Sequence, residues 1–101
     1  MTKQYTSFKA FYPFYLSQHQ NSVCRRLHFF GTLSGLVILL YALFTATYGL
    51  ILLSFVAGYA FAWVGHFFFE KNKPATFTYP LYSYIGDFVM FKDILVGKIK
   101  F

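Results

Sequence analysis

The stretch LHFFGTLSGLVILLYALFTATYGLILLSFVAGYAFAWVGHFFF, residues 27–69, decides the fold. Its 43 residues contain no Asp, Glu, Lys or Arg, and its two histidines, His28 and His66, stand near its ends. Arg25 and Arg26 precede it; Glu70, Lys71 and Lys73 follow it. A bilayer core takes about 20 helical residues per crossing, so the stretch is too long for one span and suits two. Thr45-Ala46-Thr47-Tyr48-Gly49 is its one cluster of turn-prone residues, which places the break in the middle. The expectation is an all-α membrane protein built on a transmembrane helical hairpin, spans 20–45 and 48–70, with flanking interfacial or re-entrant helices.

Composition agrees with this reading. Of the 101 residues 57% are hydrophobic and 25% aromatic. A soluble fold of this size buries only about 60% of its chain surface, so much of that apolar area would face water. The net charge of +6 raises the question of nucleic acid, but no basic stripe lies along a polar face. The cations flank the apolar block instead, which predicts both termini in the cytoplasm and the turn outside. Cys24 is the single cysteine, so no disulfide framework forms within the chain, and its plainest role is as a small packed residue. No signal peptide is expected, because the segment before residue 27 is polar and aromatic.

The chain reads as a single domain over 1–101. Residues 1–18 mix Lys3 and Lys9 with Phe8, Phe11, Tyr12 and Tyr15 and read as an interfacial segment. Ser17-x-x-Gln20 and Asn21 compete as the cap of the first span. The outcome matters for His19. In one continuous helix His19 and His28 would point about 180° apart, so they share a site only if the chain bends between them. Gly31, Ser34 and Gly35 in the first span and Gly58, Ala62 and Gly65 in the second form small stripes suited to close helix contact, with Gly31 and Gly65 at similar depth. Residues 81–98 read as an amphipathic or re-entrant helix with Leu81, Ile85, Phe88, Phe91 and Leu95 on one face. Asp87 argues against a third crossing.

The hairpin carries His19, His28, His66 and Glu70 to one end of the membrane. His66 and Glu70 share a helix face four residues apart. Imidazoles with one carboxylate suit Fe(II), Mn(II) or Zn(II), and several His with a carboxylate is a familiar non-haem iron set. Haem between two His is the weaker option. Each histidine alone is also a plain hydrogen-bonded residue, and Arg25 and Arg26 are also plain topology signals or headgroup contacts. On the residues alone a metal site and a structural set stand level.

His19-x-Asn21-x6-His28-x-x-Gly31, Gly65-His66-x3-Glu70-x3-Pro74-Ala75, Tyr79-Pro80-Leu81 and Gly86-Asp87 together resemble a family of small membrane proteins. Its best-known member is the fungal endoplasmic-reticulum dioxygenase that shortens 2-hydroxy fatty acids by one carbon in α-oxidation. This chain looks like the compact bacterial members. The resemblance implies Fe2+ held by His19, His28 and His66, with Glu70 as a ligand or as support for His66. It implies O2 and a 2-hydroxy fatty acid as reactants, and Asn21, Arg25, Arg26 and Asp87 as groups orienting ligands or substrate. It also implies a multi-pass protein of the inner membrane if bacterial, or of the endoplasmic reticulum if eukaryotic. Membrane lipid is the expected surrounding, and a homo-oligomer is compatible with the pattern. The alternative of another class is a non-catalytic scaffold or lipid-binding protein.

Overall fold

The computed structural model describes residues 4–101; Lys3, counted above in the N-terminal segment, lies outside them. The chain is all-helical, with 74% helix and no strand among the described residues. Helix α1 runs over Phe8–Ser17, α2 over Ser22–Phe44 and α3 over Leu50–Val64. A π-helical turn, Gly65–Glu70, extends α3; a short 3-10 turn, Ala75–Phe77, leads to α4 over Pro80–Leu95. Two helices, Ser22–Phe44 and Leu50–Glu70, are long and apolar enough to cross a bilayer.

The hairpin is α2 and α3, antiparallel and joined by Thr45–Gly49, with Ala46 in the left-handed region (φ 53°). Its interior is not a conventional apolar core. Ser54, Thr32, Cys24, His28 and His66 are buried, while Phe44, Val37, Leu52 and Phe68 face outward at 88, 57, 72 and 70% exposure. Small and polar groups inside with large apolar ones outside is the arrangement a lipid surround favours, since hydrocarbon solvates Leu and Phe and leaves close packing and hydrogen bonds to join helices.

The glycine seam has a different register from the one expected. A Cβ on Gly31 would stand 2.8 Å from the Phe61 Cβ and 2.9 Å from the Gly58 oxygen; one on Gly35 would meet the Ser54 oxygen at 2.9 Å. Gly65 lies against Cys24, where its Cβ would be 3.1 Å from the Cα. Gly31 therefore pairs with Gly58, not with Gly65. In this register His66 lies level with Val23, five residues or about 7.5 Å of helix rise from His28. Side chains lean toward the N-terminus of their own helix. In antiparallel helices His28 and His66 therefore lean toward each other, which closes the gap.

Helix α4 splits the apolar face expected of it, with Phe88 and Phe91 half-buried. Leu81, Ile85 and Leu95 are exposed, and the stripe turned inward is Ser83, Gly86, Met90 and Asp93. Gly86 is needed there: a Cβ would stand 3.0 Å from the Tyr15 ring. Phe11 and Tyr15, expected at headgroup depth, are instead fully buried with Tyr79 and Met90 in an aromatic cluster between α1 and α4. Phe91 of α4 stacks on Phe29 of α2 at 4.7 Å. The pairs α1·α4 and α2·α4 thus place Asp87 over the histidine end of the hairpin.

Candidate metal centre

The bend that His19 needed is present. Helix α1 ends at Ser17, and Asn21 caps α2, its Oδ1 accepting from the Val23 and Cys24 amides at 2.9 and 3.1 Å. His19 lies in the break, 2% exposed, with its ring stacked on Tyr15 at 4.1 Å. His28 is in α2 and His66 in the π-helical turn, 5% and 2% exposed.

Each ring turns its Nδ1 to an oxygen. His19 Nδ1 lies 2.6 Å from the Tyr15 carbonyl, His66 Nδ1 2.7 Å from Asn72 Oδ1, and His28 Nδ1 3.3 Å from Asp87 Oδ1. None of those oxygens can donate, so the hydrogen bonds put the proton on Nδ1 of His19 and His66, and the Asp87 carboxylate beside His28 Nδ1 favours the same tautomer there. The three Nε2 lone pairs then face one another. His28 Nε2 is 3.1 Å from His19 Nε2 and 2.9 Å from His66 Nε2, and all three lie within 4.8 Å. Burial, followed by the neighbouring His28 and His66, holds His19 well below the ordinary histidine range, which favours the neutral ring. Three buried lone pairs facing one another repel unless a cation or a shared proton lies between them. Two nitrogens about 2.1 Å from one ion and about 90° apart are about 3 Å from each other, which matches the two short separations. The three histidines could hold a metal ion.

The acidic residue expected beside them is elsewhere. Glu70 turns away and accepts the backbone N–H groups of Gln20 and Asn21 at 2.7 and 2.6 Å. The physical reason is supply: the break before α2 leaves amide donors without partners, and a carboxylate at the end of α3 satisfies two at once. Replacing Glu70 by alanine removes two charge-assisted hydrogen bonds, the one to Gln20 exposed to solvent, and should cost about 1–2 kcal/mol. The variant should melt earlier than wild type while still taking up metal supplied in excess. Failure to take up metal at saturation would return Glu70 to the ligand set.

Support for His66 comes from Asn72 instead. Lys71 adopts a left-handed conformation (φ 60°), which folds Asn72 back so that its amide donates to the His66 carbonyl at 3.0 Å. Its Nδ2 donates to the Gln18 carbonyl and to Gln18 Oε1, both at 3.1 Å, which fixes Oδ1 toward the ring. The sequence gives little sign of this, since an Asn in a Lys-rich loop reads as solvated. Outer partners of metal-bound histidines are worth 10–100-fold in affinity. Asn72→Ala should weaken metal binding by about that factor, measured by competition with a chelator, whereas unchanged affinity would remove Asn72 from the site.

The other expected substrate groups are largely engaged. Arg25 Nη1 donates to the His19 and Gln20 carbonyls at 2.9 and 2.8 Å, and its Nε to the Lys100 carbonyl at 3.0 Å. Arg26 lies 5.2 Å over the Phe101 ring. Asn21 caps α2. Asp87 stands behind His28 and accepts from the Tyr15 hydroxyl at 2.5 Å. Burial, then the Asp87 charge, raises Tyr15 well above the ordinary phenol range and keeps it a donor.

The profile of the 2-hydroxy-palmitic acid dioxygenase Mpo1-like family matches residues 5–99. The chain belongs to that family. The match confirms the resemblance drawn from the paired histidine motifs. It spans all four helices, so the family's extent and the folded unit coincide. Neither a curated protein nor a solved structure matches the chain.

Proposed function

We propose that this chain is a membrane-embedded, Fe(II)-dependent dioxygenase that converts a 2-hydroxy fatty acid and O2 into the acid one carbon shorter, CO2 and water. The observation that supports the reading is the convergence of three buried imidazole Nε2 atoms in a member of a 2-hydroxy-palmitic acid dioxygenase-like family. His19, His28 and His66 are the ligands in this reading. Iron bound there would supply the redox chemistry that lets O2 react with an unactivated acid, for which nitrogen ligands with open positions are suited. The chain's own contribution is positioning. The Tyr15 carbonyl, Asp87 and Asn72 hold the ring protons outward, and the burial of all three rings keeps bulk water from the reacting atoms.

The whole chain acts as one unit, with α2 and α3 crossing the bilayer. Arg25, Arg26, Lys71 and Lys73 at the histidine end set that end, and both termini, in the cytoplasm. A long-chain acid then reaches the histidines from the bilayer without passing through water.

Protein purified in detergent and loaded with Fe(II) should consume O2 and release CO2 from the carboxyl carbon of a long-chain 2-hydroxy acid. Protein that binds iron yet consumes no O2 with any 2-hydroxy acid would refute the reaction and favour a lipid-binding role.

A further inference from the structure

Helices α2, α3 and α4 enclose a groove of about 430 Å³, counting its open side. One end is polar, formed by His28 and Asp87; from there it follows α2 past Thr32 and Gly35 to Leu39. Those α2 positions recur at helical spacing, so they form a single line along the helix. From His28 to Leu39 the line is about 16 Å long. The opposite wall is Gly58 and Phe55 of α3, and the third is Tyr84 and Phe88 of α4. The Phe55 and Tyr84 rings, 5.2 Å apart, join α3 to α4 along its side.

We propose that this groove holds the acyl chain of the substrate, admitted sideways from lipid, and that Leu39 at its far end sets the longest chain accepted. The inference rests on the dioxygenase reading above and adds where the tail lies. The shape carries the argument. The groove has its charged end against one of the three histidines and is mostly apolar beyond it, with the hydroxyl-bearing Thr32, Ser54, Tyr59 and Tyr84 among its glycine, leucine and phenylalanine walls. That gradient matches a single-chain amphiphile whose head is at the histidines. The groove's narrowness is built in: Gly31 and Gly35 bring α2 and α3 to backbone contact along the groove floor. Leu39 is half-buried in α2, one helical turn beyond Gly35, at the far end of the groove lining.

The test uses metal-loaded full-length protein in detergent and straight-chain 2-hydroxy acids of increasing length. Leu39→Trp should lower the long-chain to short-chain ratio of kcat/KM at least tenfold, because each methylene denied its site costs transition-state binding. Leu39→Ala should move the same ratio the other way and extend the accepted length. Native mass spectrometry with the corresponding fatty acids lacking the 2-hydroxyl gives a readout independent of turnover, and the same two shifts are expected in binding. Turnover with a length profile untouched by either substitution would overturn the groove while keeping the reaction. Binding that shifts with Leu39 in a protein that turns over no 2-hydroxy acid would keep the groove and overturn the reaction.

Discussion

His28→Ala protein is expected to lose its metal and with it all measurable turnover. His28 is the middle member of the three: its Nε2 is within 3.1 Å of His19 and 2.9 Å of His66. Without it two nitrogens remain on opposite flanks of a void, and a chelating set of three becomes a loose pair. The loss of affinity should exceed the roughly 100-fold that removal of an outer hydrogen-bond partner costs. Metal analysis after desalting checks the first part, and a thermal shift checks the second. Wild type should melt higher with added metal, by the linkage between binding and folding, and the variant should not. A variant that keeps its metal, or that shows the wild-type thermal response, would mean that the rings meet for structural reasons alone.

The largest effect on stability is expected at Gly31. A valine there brings a Cβ to 2.8 Å from the Phe61 Cβ and 2.9 Å from the Gly58 oxygen. Neither neighbour is the free end of a flexible side chain, so the helices must separate. Overpacking of this kind costs about 1–3 kcal/mol and more where backbone is the obstacle. The separation also pulls His28 from His66, so metal uptake should fall together with the melting temperature. Gly49→Ala makes the control: nothing lies within 4 Å of its added Cβ, and Gly49 already has helical dihedrals. Its melting temperature should stay at or slightly above wild type. Equal melting of the two variants would show that the seam is less tight than its distances.

How far residues alone carried the fold varies from place to place. The charge-free block and its turn gave two helices whose observed limits, Ser22–Phe44 and Leu50–Glu70, lie within two residues of those expected. Charge and length are strong signals because a long run free of charged residues leaves little but helix to satisfy its backbone. The gathering of His19, His28 and His66 followed from the same geometry, together with the Asn21 break. Register was harder to read. Gly31 had Gly58, Ala62 and Gly65 as candidate partners, and small residues specify contact but not which contact. The apolar face of α4 gave no sign of which side packs: Leu81, Ile85 and Leu95 are exposed, whereas Gly86 and Asp87 turn inward toward Tyr15 and His28. Glu70 was placed with His66 on the ground that i and i+4 share a face. The π-helical turn changes that spacing, and the unpaired amides of Gln20 and Asn21 compete for the carboxylate. Asn72 depends on the left-handed Lys71, which no periodicity marks.

The ties between residues 18–21 and 69–72 bear on how the protein comes together. Asn72 reaches Gln18, Glu70 reaches Gln20 and Asn21, and Asn21 Nδ2 donates to the Phe69 carbonyl at 3.4 Å. These polar ties and the histidine trio join parts of the chain that are 38 to 54 positions apart. The entropy of closing so long a loop is lost once, whichever set forms first, and its cost grows only slowly with length. A metal ion and the Glu70 tie therefore reward the same event. Each should raise the equilibrium for the other by an equal factor, as linkage requires. Metal affinity in this small protein is then also a gauge of how completely the hairpin has shut.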